Sequence, residues 1–242
     1  MEFHVYENAR AACEAAGVLI AAQITRKGDS VLGLATGSTP IPAYEMLAQW
    51  YDRGVIDFDR VRTFNLDEYV GIDHKNPLSY HAFMQEHLFS KVNLRKENVH
   101  LPSGNAAADV EAYDKAIYAA GGIDIQLLGI GRNGHIGFNE PDDCFAKGTH
   151  CVELTESTIE ANKRFFASED EVPRRAYSMG IHTIMTAKKV LVVASGEDKA
   201  WAIRESCFGP VTPKVPGSIL QLHNDAIVIA DEAALSLCGD FL

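Results

Sequence analysis

Short apolar runs recur along this chain at intervals that leave room for one helix between each pair, and this rhythm constrains the fold more than any other feature. The runs are Val31–Ala35, Val61–Leu66, Ile123–Ile130, Val190–Ala194 and Ala226–Ala230, with a weaker one at Phe3–Tyr6. Uninterrupted apolar runs of this length suit strands buried on both faces, as in parallel sheets. Helical patterns fall between them. Asn8 can cap a first helix in which Ala12, Ala16, Leu19, Ile20 and Ile24 share a face, and comparable segments lie near 41–51, 78–90, 106–120 and 197–207. The alternation predicts an α/β fold: a doubly wound, mainly parallel open sheet with helices on both faces, Rossmann-like in layout. With 242 residues, 47% of them hydrophobic, the chain is expected to form a single domain over 1–242. The stretch His150–Gly180 breaks the rhythm with scattered charge and little periodicity beyond Ser157–Arg164, and reads as a lid or as a surface excursion.

Charge, cysteines and the amino terminus exclude several classes of function. A net charge of −11 with no offsetting run of lysine or arginine argues against nucleic acid as a partner. Five scattered cysteines with no CxxC pair suggest neither a disulfide framework nor a zinc site. No leader pattern and no run of about 18 apolar residues is present, so a soluble cytoplasmic protein without membrane partners is expected. HxxxH, HExxH and GxSxG spacings are missing, which disfavours a metal centre and a serine hydrolase.

In doubly wound sheets ligands bind beyond the carboxyl ends of the strands, which singles out four segments. Thr36-Gly37-Ser38-Thr39-Pro40 ends one run and precedes a helix. It can cradle a phosphate on backbone amides, or be a simple strand-to-helix turn. Asn65-Leu66-Asp67-Glu68-Tyr69 places adjacent carboxylates at a second strand end, as a catalytic pair or as a cap and a surface acid. Gly129–Pro141 is the most informative segment. Its glycines forbid an ordinary helix, yet it carries Asn133, His135, Phe138, Asn139 and Glu140. An imidazole five residues from a carboxylate can hold one tautomer and move protons near neutral pH, or serve as a hydrogen-bonded structural histidine. Arg164, in Asn162-Lys163-Arg164-Phe165-Phe166, and Lys199, after Ala194-Ser195-Gly196, are cations that could clamp a phosphate or be solvated surface charges.

Taken together and in order, Gly37-Ser38-Thr39-Pro40, Phe64-Asn65-Leu66-Asp67-Glu68-Tyr69, Gly134-His135-Ile136-Gly137-Phe138-Asn139-Glu140-Pro141 and Asn162-Lys163-Arg164-Phe165-Phe166 make the sequence resemble the glucosamine-6-phosphate deaminases nearly from end to end. The ordered motifs set it apart from the 6-phosphogluconolactonases and ribose-5-phosphate isomerases, which have a related fold. The resemblance implies glucosamine 6-phosphate as substrate, fructose 6-phosphate and ammonia as products, and no metal or redox cofactor. It implies that Asp67 carries a proton from C2 to C1 and that His135, oriented by Glu140, assists ring opening, with Glu68 a neighbouring site residue. Gly37, Ser38, Thr39, Arg164 and Lys199 would bind the phosphate, and the segment around 150–180 would close over the sugar.

Two departures from the pattern bear on these expectations. Asn133 stands where some relatives have aspartate, which leaves Glu140 as the only carboxylate partner of His135. The chain ends at Leu242, without the carboxyl-terminal extension of hexameric, allosterically activated relatives, and His150 and Val152 replace their basic effector-site residues. No activation by N-acetylglucosamine 6-phosphate is expected, and the oligomeric state stays open between a monomer, which the short chain favours, and an oligomer. The rival readings are a lactonase or aldose–ketose isomerase of the same fold, and a sugar-phosphate sensor without turnover. The second is disfavoured by the lack of an appended helix-turn-helix segment.

Overall fold

A computed structural model describes residues 1–103, 107–154, 159, 173–239 and 241, with the backbone alone at 107–109. In chain order the principal elements are β1 (Glu2–Tyr6), α1 (Ala9–Arg26), β2 (Val31–Leu34), α2 (Ile41–Asp52), β3 (Arg62–Asn65), β4 (Asp67–Tyr69), α3 (Tyr80–His87), β5 (Val99–His100), α4 (Ala107–Ala119), β6 (Ile125–Leu128), β7 (His150–Glu153), β8 (Arg175–Ser178), α5 (Ile181–Met185), β9 (Val190–Ala194), α6 (Ala200–Phe208) and β10 (Ala226–Asp231). Seven strands form a parallel sheet in the order β1-β10-β9-β6-β2-β3-β5. The doubly wound parallel sheet expected from the alternation is the observed architecture.

Strand alternation divides the core in two. Val190, Val192 and Ala194 point into one apolar cluster with Tyr113, Ile117, Ile184 and Ile203 from α4, α5 and α6. Leu191 and Val193 point into the other, with Ile20, Tyr44, Leu47 and Met84 from α1, α2 and α3. Because β2, β6, β9 and β10 are buried along their whole length, they read as apolar runs instead of alternating ones, interrupted only by Gln126 in β6 and ended by Asp231 in β10. The helix α1 starts where Asn8 Oδ1 accepts the Ala11 amide at 2.9 Å. It lies close on α2, since a methyl on Gly17 would meet Met46 Cε at 2.4 Å and Ala43 Cα at 3.2 Å.

The topology fixes where a ligand can sit. From β2 the chain moves to β3 and β5 on one side, whereas from β6 it moves to β9 and β10 on the other. The strands β2 and β6 are neighbours whose outgoing loops diverge, and a crevice opens at their carboxyl ends. With β3 and β9 flanking this pair, the segments 35–40, 66–69, 129–141 and 195–199 share one edge of the sheet.

A second, antiparallel sheet, β4-β8-β7, was not expected. The ends of the segment read as an irregular lid or excursion are its strands β7 and β8. Four residues each, they are too short for a period-2 pattern to stand out. Most of the rest of that segment lies outside the described residues, though Ile159 is buried against Tyr69, Phe138 and Leu154. Among the described residues no helix is long and apolar enough to cross a membrane.

Candidate active site

The turn after β2 is held from below at both ends. Tyr44 Oη donates to the Ala35 carbonyl at 2.6 Å, and Cys13 Sγ to the Thr39 carbonyl at 2.8 Å. Gly37 has φ +95°, a left-handed conformation that a side chain would strain. Gly37 and Ser38 are exposed and Thr39 is half-buried. Pro40 caps α2 without a side-chain bond to its first turn, and Pro42 in that turn has no amide to be capped.

Past Asn65 the chain leaves the parallel sheet and turns into β4, which buries both acids. Asp67 is 8% exposed, and its carboxyl is pushed up to about 8, first by burial and second by the adjacent Glu68 charge. Glu68 has both oxygens engaged: one accepts the Tyr69 and Tyr80 amides at 2.9 and 3.0 Å, the other the His81 amide at 3.0 Å. The Tyr80 and His81 amides open α3, so Glu68 anchors that helix on β4. Burial raises its pKa too, opposed by the three amides.

Backbone bonds and one packing contact shape the loop after β6. The Gly131 amide donates to the His135 carbonyl at 2.9 Å, the Gly134 amide to Gly131 at 3.0 Å, and the Gly217 amide to Gly134 at 2.7 Å. The His135 ring lies so close on Gly131 that an added methyl would meet it at 2.2–2.4 Å. His135 Nδ1 is 3.2 Å from Glu140 Oε2, close enough for an ion pair but off-line for a hydrogen bond. Asn133 Nδ2 donates to the same Glu140 oxygen at 2.7 Å, and Asn133 Oδ1 accepts the His135 amide at 3.2 Å. Asn133 thus spans both partners of the His–Glu pair, a task a carboxylate at this position could not share, since it has no N–H to give Glu140.

Asp67 approaches the His135 loop at Gly137, which has φ +59°: a methyl there would lie 3.8 Å from Asp67 Oδ2. The Asp67 carboxylate therefore rests against the loop two residues from His135. On the far side, Arg132 Nε bonds Asp198 Oδ2 at 2.8 Å and ties the same loop to the segment bearing Lys199. Partial burial lowers the Lys199 pKa, and the Arg132 charge lowers it further against the pull of Asp198. The structure brings together Gly37, Ser38, Thr39, Asp67, Glu68, Asn133, His135, Glu140 and Lys199 at one edge, while Arg164 lies outside the described residues. No group of three or more histidine, cysteine, aspartate or glutamate side chains suited to a metal occurs among the described residues.

A side chain not anticipated as part of the site completes it. Ser178 on β8 is fully buried, and its Oγ accepts the Phe138 amide at 3.0 Å. In sequence it stands out only as a serine near a glycine. The signal is its pairing with Asp67 across two strands, which a linear pattern does not carry.

With this geometry the comparison with known proteins is decisive, because a family model described as glucosamine-6-phosphate isomerases/6-phosphogluconolactonase matches residues 6–229. The chain belongs to that family. A glucosamine-6-phosphate deaminase of Clostridioides difficile (strain 630) is 58% identical over 225 residues, covering 91% of this chain and 90% of that protein. A solved structure of a monomeric glucosamine-6-phosphate deaminase superposes with a TM-score of 0.93 at 40% identity, over 98% of this chain and all of the other. A 6-phosphogluconolactonase from Trypanosoma brucei reaches a TM-score of 0.73 at 19% identity, over 97% of each chain, a likeness of fold alone.

Proposed function

We propose that this chain converts glucosamine 6-phosphate to fructose 6-phosphate and ammonia. The observation that carries the reading is the contact at Gly137, which sets a buried, high-pKa carboxylate against the loop that carries an imidazole–carboxylate pair. The identity to deaminases, far above that to the lactonase, supports this substrate over a lactone.

The phosphate sits on the amides of Gly37, Ser38 and Thr39 with Lys199 as counter-charge, and Arg164 is assigned to the same group from the sequence pattern. Anchored there, remote from the reacting carbons, it supplies binding energy that orients the sugar. His135 takes the proton from the C1 hydroxyl and passes it to the ring oxygen, which opens the pyranose to the aldehyde. Glu140, held by Asn133, orients the imidazole. Ionised Asp67 then removes the C2 proton to give the enolamine and returns it to C1, leaving a ketimine at C2. Water adds to the ketimine and expels ammonia. A carboxylate raised toward neutral pH is a stronger base than an ordinary aspartate, which suits the removal of a carbon-bound proton. Glu68 enters as the anchor of α3 and as the negative neighbour that helps keep the Asp67 pKa high.

The reading extends to regulation and assembly. His150 and Val152 line a cavity of about 340 Å³ behind Glu140 whose other ionisable walls include Asp142 and Glu153, a lining that repels a phosphorylated effector. The monomeric state of the solved relative supports a monomer here.

Incubation with glucosamine 6-phosphate tests the reading. The expected result is one ammonia released per fructose 6-phosphate formed, with no hydrolysis of 6-phosphogluconolactone. Release of no ammonia would overturn it.

A further inference from the structure

We propose that Ser178 is a positioning residue for the proton transfers, setting the turn at Gly137–Phe138 so that Asp67 and His135 address one sugar. The inference rests on the deaminase reading above and adds to it a residue that touches no reacting atom.

Three observations converge on Ser178. The strand β8 runs between β4 and β7, and Ser178 pairs with Asp67 on one side and His150 on the other. Directly paired residues of antiparallel strands share a face, so Ser178 stands in the same row as Asp67. The next row on that face, Tyr69, Ala176 and Val152, carries the apolar cluster on which Phe138 packs. The catalytic loop therefore lies across this face of the small sheet.

The Ser178 hydroxyl makes a polar contact between that sheet and the turn. It is fully buried, accepts the Phe138 amide at 3.0 Å and donates to the Met179 carbonyl at 3.3 Å. A methyl on Gly137 would stand 3.0 Å from Ser178 Oγ and 3.8 Å from Asp67 Oδ2, so Gly137 is wedged between the hydroxyl and the carboxylate. Asn139 continues the attachment, its Nδ2 donating to the Ile136 and Met179 carbonyls at 2.8 Å each. Without the Ser178 oxygen the Phe138 amide is a buried donor with no acceptor, and the turn must shift to reach one. Any such shift alters the spacing between Asp67 and the His135 loop. The phosphate contacts, after β2 and after β9, are left in place.

The consequence is a split between turnover and binding. Ser178→Ala is expected to lower kcat by roughly 10–100-fold, the scale of a small misplacement of catalytic groups, while KM for glucosamine 6-phosphate stays within about threefold. Ser178→Thr keeps the oxygen and Ser178→Val has the same shape without it. Threonine is therefore expected to retain kcat within about threefold of the parent and valine to lose it as alanine does. The Thr–Val comparison decides the matter if the alanine variant does not accumulate folded. Equal kcat for the threonine and valine variants, or an alanine variant with parental kcat, overturns the role of Ser178. A parent that releases no ammonia overturns the deaminase reading instead, and the two failures are told apart by the parent protein alone.

Discussion

An ionised carboxylate as buried as Asp67 is costly to the folded state, and the cost falls in the pH range where the residue is useful. Burial raises its pKa to about 8, against roughly 3.9 in an unfolded chain. Between those two values the native state holds a proton that the unfolded state has released, so stability declines as pH rises across that window. Asp67→Asn removes the penalty. The variant is expected to be more stable than the parent at pH 8 by on the order of 1–3 kcal/mol, with the gap closing toward pH 4. Urea unfolding at the two pH values checks this, and an asparagine variant less stable at both would remove burial as the origin of the raised pKa. Activity follows the opposite sign, because the base must be ionised. In the parent, kcat/KM should fall as pH drops below about 8, approaching tenfold per unit. A flat profile from pH 6 to 8 would exclude Asp67 as the titrating base. The residue pattern showed Asp67, His135 and Glu140 because glycines and adjacent acids stand out in a line of text. Ser178 did not, since only strand pairing gives it a neighbour.

At the scale of elements, the strand starts opposite the active edge are held by one buried charge. Asp124, 4% exposed and just ahead of β6, accepts the Val31 amide of β2 at 2.8 Å, Lys27 beyond α1 at 2.6 Å and Lys188 ahead of β9 at 2.7 Å. Burial alone would raise its pKa, but the two ammonium groups and the amide outweigh burial and leave it lowered. A depressed folded value adds stability above the unfolded pKa that is lost as pH falls through the folded one. Asp124→Ala should cost about 2–4 kcal/mol at pH 7, the low side of a broken buried pair because both lysines reach water, and much less near pH 3. Chemical denaturation at each pH measures it, and equal losses would assign the effect to packing. The main strands and helices were legible in the sequence because each is apolar through or on one face. The small sheet was not. Its strands are three or four residues long, and β4 pairs with residues of β8 more than 100 positions away, so nothing local announces the sheet.

Over the whole molecule, the strand order matters more than the strands themselves. Placing β2 beside β6 opens the crevice, and that adjacency joins runs separated by about 90 residues of sequence, beyond the reach of any periodicity. The general rule that ligands gather at carboxyl ends picked out four segments that the strand order places at one edge of the sheet. The small sheet then acts as a bracket, fixing Asp67 and the His135 loop to each other instead of leaving both on independent turns. The most direct measurement is ammonia release from glucosamine 6-phosphate by the parent and by Asp67→Asn, with substrate binding followed on the same samples. The parent should turn over, and the variant should bind with similar affinity while turning over slower by roughly three orders of magnitude or more. Equal turnover by both proteins would contradict a mechanism built on the Asp67 carboxylate.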